Sequence, residues 1–225
     1  MNTYFDIETV PGQPELEHKL LISETIQAPA QMKKAETISD WHEGKGKYAG
    51  EKDKSIEDKY RSQSFDAAYG EIITMAFAVD DGEVLSFQRE VDEEEAKMIH
   101  QFIIALEGQL AGRPPMFIGH FVAGFDMRFL FRRCVILGVN PPFSLKFDGR
   151  HGKDYFDNMI AWCGYKEKIS QDNLAKALGL KGKPSDIDGS KVWDFAKEGR
   201  IDEIAAYNRD DVEQCRAIHK RITFS

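Results

Sequence analysis

The run "YFDIETVP", residues 4 to 11, places Asp6 and Glu8 in an otherwise apolar, β-forming stretch near the start of the chain. Residues two apart on a strand point to the same face. A strand here therefore sets two carboxylates side by side in what should be core. Burying like charges together is costly unless a cation lies between them. Such a chain must build a sheet with a cation-holding edge and bring further ligands to it from elsewhere.

The remaining pattern supplies the sheet. Thr3 to Ile7, Ile72 to Val79 and Val84 to Gln88 read as strands, the last two joined as a hairpin by the turn "DDGE" at Asp80 to Glu83. Glu93 to Leu110 is amphipathic and closed by Gly112 and two prolines, which predicts a helix. Met116 to Gly119 reads as a short apolar strand and Phe125 to Leu137 as a helix ending at Gly138. Tyr155 to Ile160 is ambiguous between strand and helix start, and helices are predicted at Gln171 to Leu178, Ser190 to Lys197 and Ile201 to Ile222. A hairpin-linked group followed by alternating strand and helix predicts an α/β fold with a mixed sheet.

Residues 12 to 70 break this pattern. They are polar and charge-balanced, with weak helical patches around Gln31 to Trp41 and Lys54 to Ser64. The plain reading is a long, partly mobile insertion between the first two strands. The functional reading is a flap that guides substrate, with Lys45, Lys47, Lys52 and Lys54 offered to phosphates.

The last helix offers a further ligand. At about 100° per residue, Ile204, Asp211, Cys215, Ile218 and Ile222 fall in one stripe, and Tyr207 shares the face of Asp211 one turn earlier. Asp210 points away and is expected to be solvated. A carboxylate in an apolar stripe needs a partner: either a site, or an arginine or helix N-terminus that satisfies a buried Asp. In "GHFVAGFDMRFLFRRC", residues 119 to 134, Asp126 opens a helix, where an ordinary N-cap is the simpler reading. Taken together, Asp6, Glu8, Asp126 and Asp211 can converge. Four clustered carboxylates could not all stay ionised without divalent metal. All-oxygen ligands favour Mg²⁺ or Mn²⁺, and two such ions roughly 4 Å apart can activate a water and stabilise the leaving oxygen of a phosphodiester.

"FDIET", "GFDMRFL" and "YNRDD" resemble the three exonuclease motifs of the DEDD (DnaQ-like) superfamily, in the Tyr form marked by Tyr207 and Asp211. The run "DGSKVWDFAKEGRIDEIAAYNRDDVEQC" looks like the stand-alone predicted 3'-5' exonucleases related to the proofreading domain of family B DNA polymerases. The resemblance implies one exonuclease domain over residues 1–225 with an insertion at about 12–70, on a ribonuclease H-like, mixed five-stranded sheet flanked by helices. It implies two Mg²⁺ or Mn²⁺ ions held by Asp6, Glu8, Asp126 and Asp211, and Tyr207 orienting or deprotonating the attacking water. It also implies substrate contacts at Thr9, Phe121 and Phe125. The expected reaction is release of 5'-mononucleotides from the 3' end of single-stranded nucleic acid, with DNA expected ahead of short RNA. The rivals are a catalytically silent binding module and an endonuclease of the same fold. Related exonucleases usually carry Asn five residues before the second-motif Asp, where this chain has Phe121. A flat ring there is expected to stack on bases, unless it turns into the core beside Phe125.

Composition narrows the setting. The net charge of −8 excludes an indiscriminately basic nucleic-acid binder. No apolar run is long enough to span a membrane, and nothing at the N-terminus reads as a signal peptide. Isolated Cys134, Cys163 and Cys215 suit a reducing cytoplasm. "GLKGKPSDIDGS", residues 179 to 190, lacks Walker spacing and reads as a loop, with Lys181 or Lys183 near substrate backbone and Asp188 near a helix start. Asp157 reads first as a satisfied structural residue and second as an extra site carboxylate. Trp41 is a candidate for base stacking, and Trp162 and Trp193 are expected in the core.

Overall fold

Alternation along the first strand sets the architecture. In β1 (Asn2–Val10), Tyr4, Asp6 and Glu8 share one face, with Phe5 and Ile7 on the other. The computed structural model describes residues 1–141, 145, 148–182 and 187–225, and in it β1 is the middle of a five-stranded sheet of order β3-β2-β1-β4-β5. Its companions are β2 (Glu71–Val79), β3 (Leu85–Gln88), β4 (Met116–Gly119) and β5 (Tyr155–Asp157). β2 and β3 pair antiparallel, while β1 with β4 and β4 with β5 pair parallel, so the sheet is mixed, as the sequence predicts. Apart from its first residue, β2 is buried along its whole length, as suits a strand covered on both faces.

Helices cover both faces. On one, Tyr4, Ala76, Ala78 and Ile118 pack against Val212 and Cys215 of α9 (Ile201–Thr223). On the other, Phe102 meets Phe5, Phe77 and Phe87 at ring-centroid distances of 5.4, 5.3 and 6.0 Å. Phe102 belongs to α4 (Glu95–Leu110), whose buried Glu95 pairs with Arg133 of α5 (Asp126–Leu137) at 2.6 Å. Glu95 also accepts from the Ile72 backbone N–H at 2.8 Å, so both charges of the buried pair are hydrogen-bonded. The ambiguous stretch is both things in turn: β5 runs straight into α6 (Asn158–Cys163), with Asp157 as the N-cap. α7 (Gln171–Ala177) and α8 (Val192–Lys197) follow before α9.

The chain divides into two compact units, Met1–Thr9 with Ile72–Ser225 and, separately, Val10–Glu71. The second unit is helical. It holds α1 (Glu15–Thr25), α2 (Ala35–Glu43) and α3 (Glu51–Ser62), the first of which the sequence reading misses. Its interior is tied by Tyr60, whose hydroxyl donates to the Gly12 carbonyl at 3.2 Å and accepts from the Gln13 side chain at 2.9 Å. Lys45 is ion-paired with Glu43 rather than held out on its own. Trp41 is fully buried and therefore unavailable to stack on bases. Trp162, expected in the core, is instead half exposed because it ends a one-and-a-half-turn helix at the surface, whereas Trp193 is buried as expected. Lys183 lies outside the described residues. Among the described residues, no helix is long and apolar enough to cross a membrane.

Candidate metal centre

Asp6 and Glu8 stand on the face of β1 that looks toward α9, and α9 returns Asp211 to them. One carboxylate oxygen from each of Asp6, Glu8 and Asp211 lies within 4.8 Å of the others. Asp211 is buried, while Asp6 and Glu8 keep partial access to solvent, so the cluster opens outward. It sits toward the carboxyl ends of parallel strands, where open α/β sheets bind ligands.

Asp126 is not a member of this trio but lies close enough to feel the charge of Asp211. It is the first residue of α5, is 4% exposed, and accepts a hydrogen bond from the Ile7 backbone N–H at 3.2 Å. Because Ile7 separates Asp6 from Glu8, this bond ties the fourth carboxylate to the strand that carries the first two. Burial pushes the Asp126 pKa up to about 8, and the charges of Asp157 and Asp211 add to the rise. Without a cation, burial therefore favours the protonated form of Asp126.

Tyr207, one helical turn before Asp211, is 8% exposed and hydrogen-bonds the Asp211 carboxylate. Its phenol pKa is driven far up, by burial first and then by Glu8, Asp211 and Asp6. The hydroxyl stays protonated.

Two supporting side chains escape the sequence reading. The Asn208 amide donates to Asp6 Oδ2 at 2.6 Å, and the Gln171 amide donates to Asp211 Oδ1 at 2.8 Å and to its backbone carbonyl at 2.9 Å. Asn208 lies inside "YNRDD", and its helical position three residues before Asp211 is the signal that could have found it. Gln171 opens a separate helix, and no local pattern marks it. Asp157 is structural in its contacts: Oδ1 accepts from the backbone N–H of Phe121, Met159 and Ile160 at 3.1, 3.0 and 3.2 Å. Asp210 is half-buried beside the buried Asp211.

Of the expected substrate contacts, Thr9 is buried at 9% exposure, Phe125 is half-buried against Phe129 with ring centroids 5.4 Å apart, and Phe121 is 39% exposed. Phe121 thus does not turn into the core. The donor set is carboxylate oxygen throughout, oriented by amides, which suits a hard divalent cation and offers nothing to a thiophilic one. An uncompensated group of this kind would be self-repelling.

A family model described as "Predicted 3'-5' exonuclease related to the exonuclease domain of PolB" matches residues 65–224. Among solved structures, the family B DNA polymerase from the hyperthermophilic archaeon Pyrobaculum calidifontis is similar in fold, with a TM-score of 0.59 at 15% identity. That likeness covers 99% of this chain and 24% of the polymerase chain. Comparison with curated proteins finds no match. The mixed five-stranded sheet flanked by helices is the ribonuclease H-like architecture that the motifs imply. The chain belongs to the family of predicted 3'-5' exonucleases related to the exonuclease domain of PolB.

Proposed function

We propose that this member of the PolB-related exonuclease family hydrolyses the last phosphodiester at the 3' end of single-stranded nucleic acid, DNA before RNA, releasing 5'-mononucleotides. The observation that carries the reading is the convergence of Asp6, Glu8 and Asp211 within 4.8 Å, with Tyr207 hydrogen-bonded to the same cluster.

Asp6, Glu8, Asp126 and Asp211 are the residues that would hold two Mg²⁺ or Mn²⁺ ions. Bound there, the ions supply charge neutralisation for the phosphate and a lowered pKa for the attacking water. The chain does the rest. Asn208 and Gln171 fix the Asp6 and Asp211 carboxylates, so their oxygens are already in place when substrate arrives. Burial first, and the neighbouring carboxylates next, hold the proton on Tyr207 in the metal-free protein. Its hydroxyl therefore orients the water in line with the P–O3' bond rather than deprotonating it. That bond breaks as water adds; the attacking water gives up a proton to solvent, and the departing 3'-oxygen takes one up from it. Thr9, directly after Glu8 on β1, is the further residue proposed to contact the scissile nucleotide.

A time course on 5'-labelled single-stranded DNA and RNA of matched sequence, with Mg²⁺ or Mn²⁺, tests this. The expected result is a descending ladder, faster on DNA. Internal cuts would make the protein an endonuclease, and binding without products would make it a silent module. A faster ladder on RNA would reassign the substrate.

A further inference from the structure

Two helices turn apolar side chains outward, where a helix on a protein surface ordinarily carries polar ones. On α1 only Ile22 is buried, while Leu16, Leu20 and Leu21 are each more than half exposed. On α5 the buried side holds Met127, Phe129, Leu130 and Cys134. Phe131, Val135 and Ile136 stand on its other side, and the last two are more than half exposed. Single apolar residues scattered on a surface need no explanation, but three on one short helix face do.

The two faces carry opposite charge. At about 100° per residue, Leu16, Leu20, Glu24, Glu17 and Leu21 follow one another across an arc of about 140° on α1, and both glutamates are exposed. On α5, Phe131, Val135, Arg128, Arg132 and Ile136 cross an equal arc, and both arginines are exposed. Each face thus sets two like charges between apolar edges, acidic on α1 and basic on α5. The helices also match in length, at 11 and 12 residues, or about 16–18 Å. A chain of net charge −8 presents mostly acidic surface to its own copies, which a basic face attracts. Aliphatic edges at Val135 and Ile136 offer no ring for a base to stack on, but they pack well against leucine. The occupant that fits α5 is an acidic helix with an apolar stripe, and this chain carries one.

We propose that α1 of one copy of this chain docks on α5 of a second copy. The leucines of α1 meet Phe131, Val135 and Ile136, and Glu17 and Glu24 meet Arg128 and Arg132. Used once, a contact between two three-turn helices is small. Used reciprocally about a twofold axis, it closes a dimer in which each copy both gives and receives an α1 helix. The carboxylate cluster takes no part, so the contact stands or falls independently of the exonuclease reading.

Sedimentation velocity at low salt over a range of protein concentrations tests this. The native protein is expected to move from monomer to dimer as concentration rises, and to move back as added salt screens the charges. Glu17→Lys with Glu24→Lys, on α1, should weaken the association by at least about tenfold, because like charges then face each other. Arg128→Glu with Arg132→Glu, on α5, should do the same. Mixed one to one, the two double variants should associate about as tightly as the native protein, since each helix then meets its opposite charge. Mixing would not rescue a variant that had failed to fold. Leu20→Ser, which alters no charge, should also weaken the association. A native protein that stays monomeric at every concentration overturns the proposal. So does association that neither double variant weakens, or weakening that mixing fails to reverse. Arginine variants that lose affinity for single-stranded DNA yet self-associate as the native protein does would give the α5 face to nucleic acid, and overturn the proposal as well.

Discussion

The carboxylate cluster and Phe121, in the loop that leads into α5, are neighbours made by opposite means. Asp6 and Asp211 are held by amides at 2.6 and 2.8 Å, and Tyr207 is buried against Asp211. Phe121 instead carries a strained backbone and an exposed ring that no core claims. Atoms that must meet a reacting phosphorus have to be fixed before substrate arrives, because misplacement costs rate directly. A surface that grips a base needs only a flat face and freedom from other partners. If this division is right, the cluster's residues should govern turnover with little effect on stability, and Phe121 should have little effect on either.

The largest effect is expected at the cluster. Asp6→Ala or Asp211→Ala should reduce hydrolysis to the detection limit, while the metal-free protein melts at the same temperature or slightly higher, because each change removes a like charge from a repulsive group. Near-normal turnover of either variant in Mg²⁺ would break the assignment of the cluster as the reaction centre.

Tyr207→Phe comes next. On the proposed role, in which the hydroxyl acts on water and not on metal, the rate should fall by about 10²–10⁴-fold with Mg²⁺ affinity by calorimetry nearly unchanged. An unaltered rate would reduce Tyr207 to a packing residue of α9.

The cluster was largely legible in the sequence and its supports were not, for reasons of geometry. Asp6 and Glu8 declare a common face by a spacing of two, and Tyr207 and Asp211 by a spacing of four, so strand and helix periods place them without any knowledge of the fold. Asp126 was found through its motif, but its place outside the trio and its raised pKa follow from burial at the start of α5, which spacing does not show. Gln171 and Asn208 were missed because amides are common on helices, and their role exists only across elements that meet in three dimensions. Trp41 and Trp162 exchanged their expected places for a similar reason. Burial of a single tryptophan depends on what covers it, and a short helix such as α6 leaves its last turn exposed. The α1 helix escaped notice because Glu15–Thr25 carries almost no amphipathic pattern, with exposed leucines at positions 16, 20 and 21. That the sheet is mixed followed from the hairpin and the alternating strands and helices, whereas its strand order exists only in three dimensions.

Asp126 gives a smaller, pH-dependent test. An aspartate in an unfolded chain titrates near about 3.9, whereas burial raises this one to about 8 in the metal-free fold. The folded state thus holds the proton more tightly than the unfolded chain. The stability this contributes is full below about pH 4 and is lost as pH rises toward about 8. The metal-free melting temperature should fall across that window, and Asp126→Asn should flatten the slope. Mg²⁺ should restore stability at the alkaline end, since binding draws on the ionised form. A slope that survives Asp126→Asn would place the retained proton on another member of the cluster.

The smallest effect discriminates most finely, because it asks whether the conformation of Phe121 is strained for reasons other than packing. Two truncations remove the ring, and they differ in one respect. Phe121→Ala keeps a Cβ at φ +66°, while Phe121→Gly does not. In ordinary backbone, glycine is less stable than alanine by roughly 0.5–1 kcal/mol because the unfolded chain gains freedom. In the left-handed region the order reverses, since alanine bears a steric cost of about 1–2 kcal/mol that glycine escapes. Phe121→Gly should therefore melt above Phe121→Ala, and both should lie close to the native protein, because a ring that is 39% exposed contributes little to the core. Chemical denaturation of the three proteins settles the order. Were Phe121→Ala to lose about 3–5 kcal/mol, as truncating a buried phenylalanine does, the ring would belong to the core after all, and the contrast between a fixed reaction centre and an uncommitted gripping surface would fail.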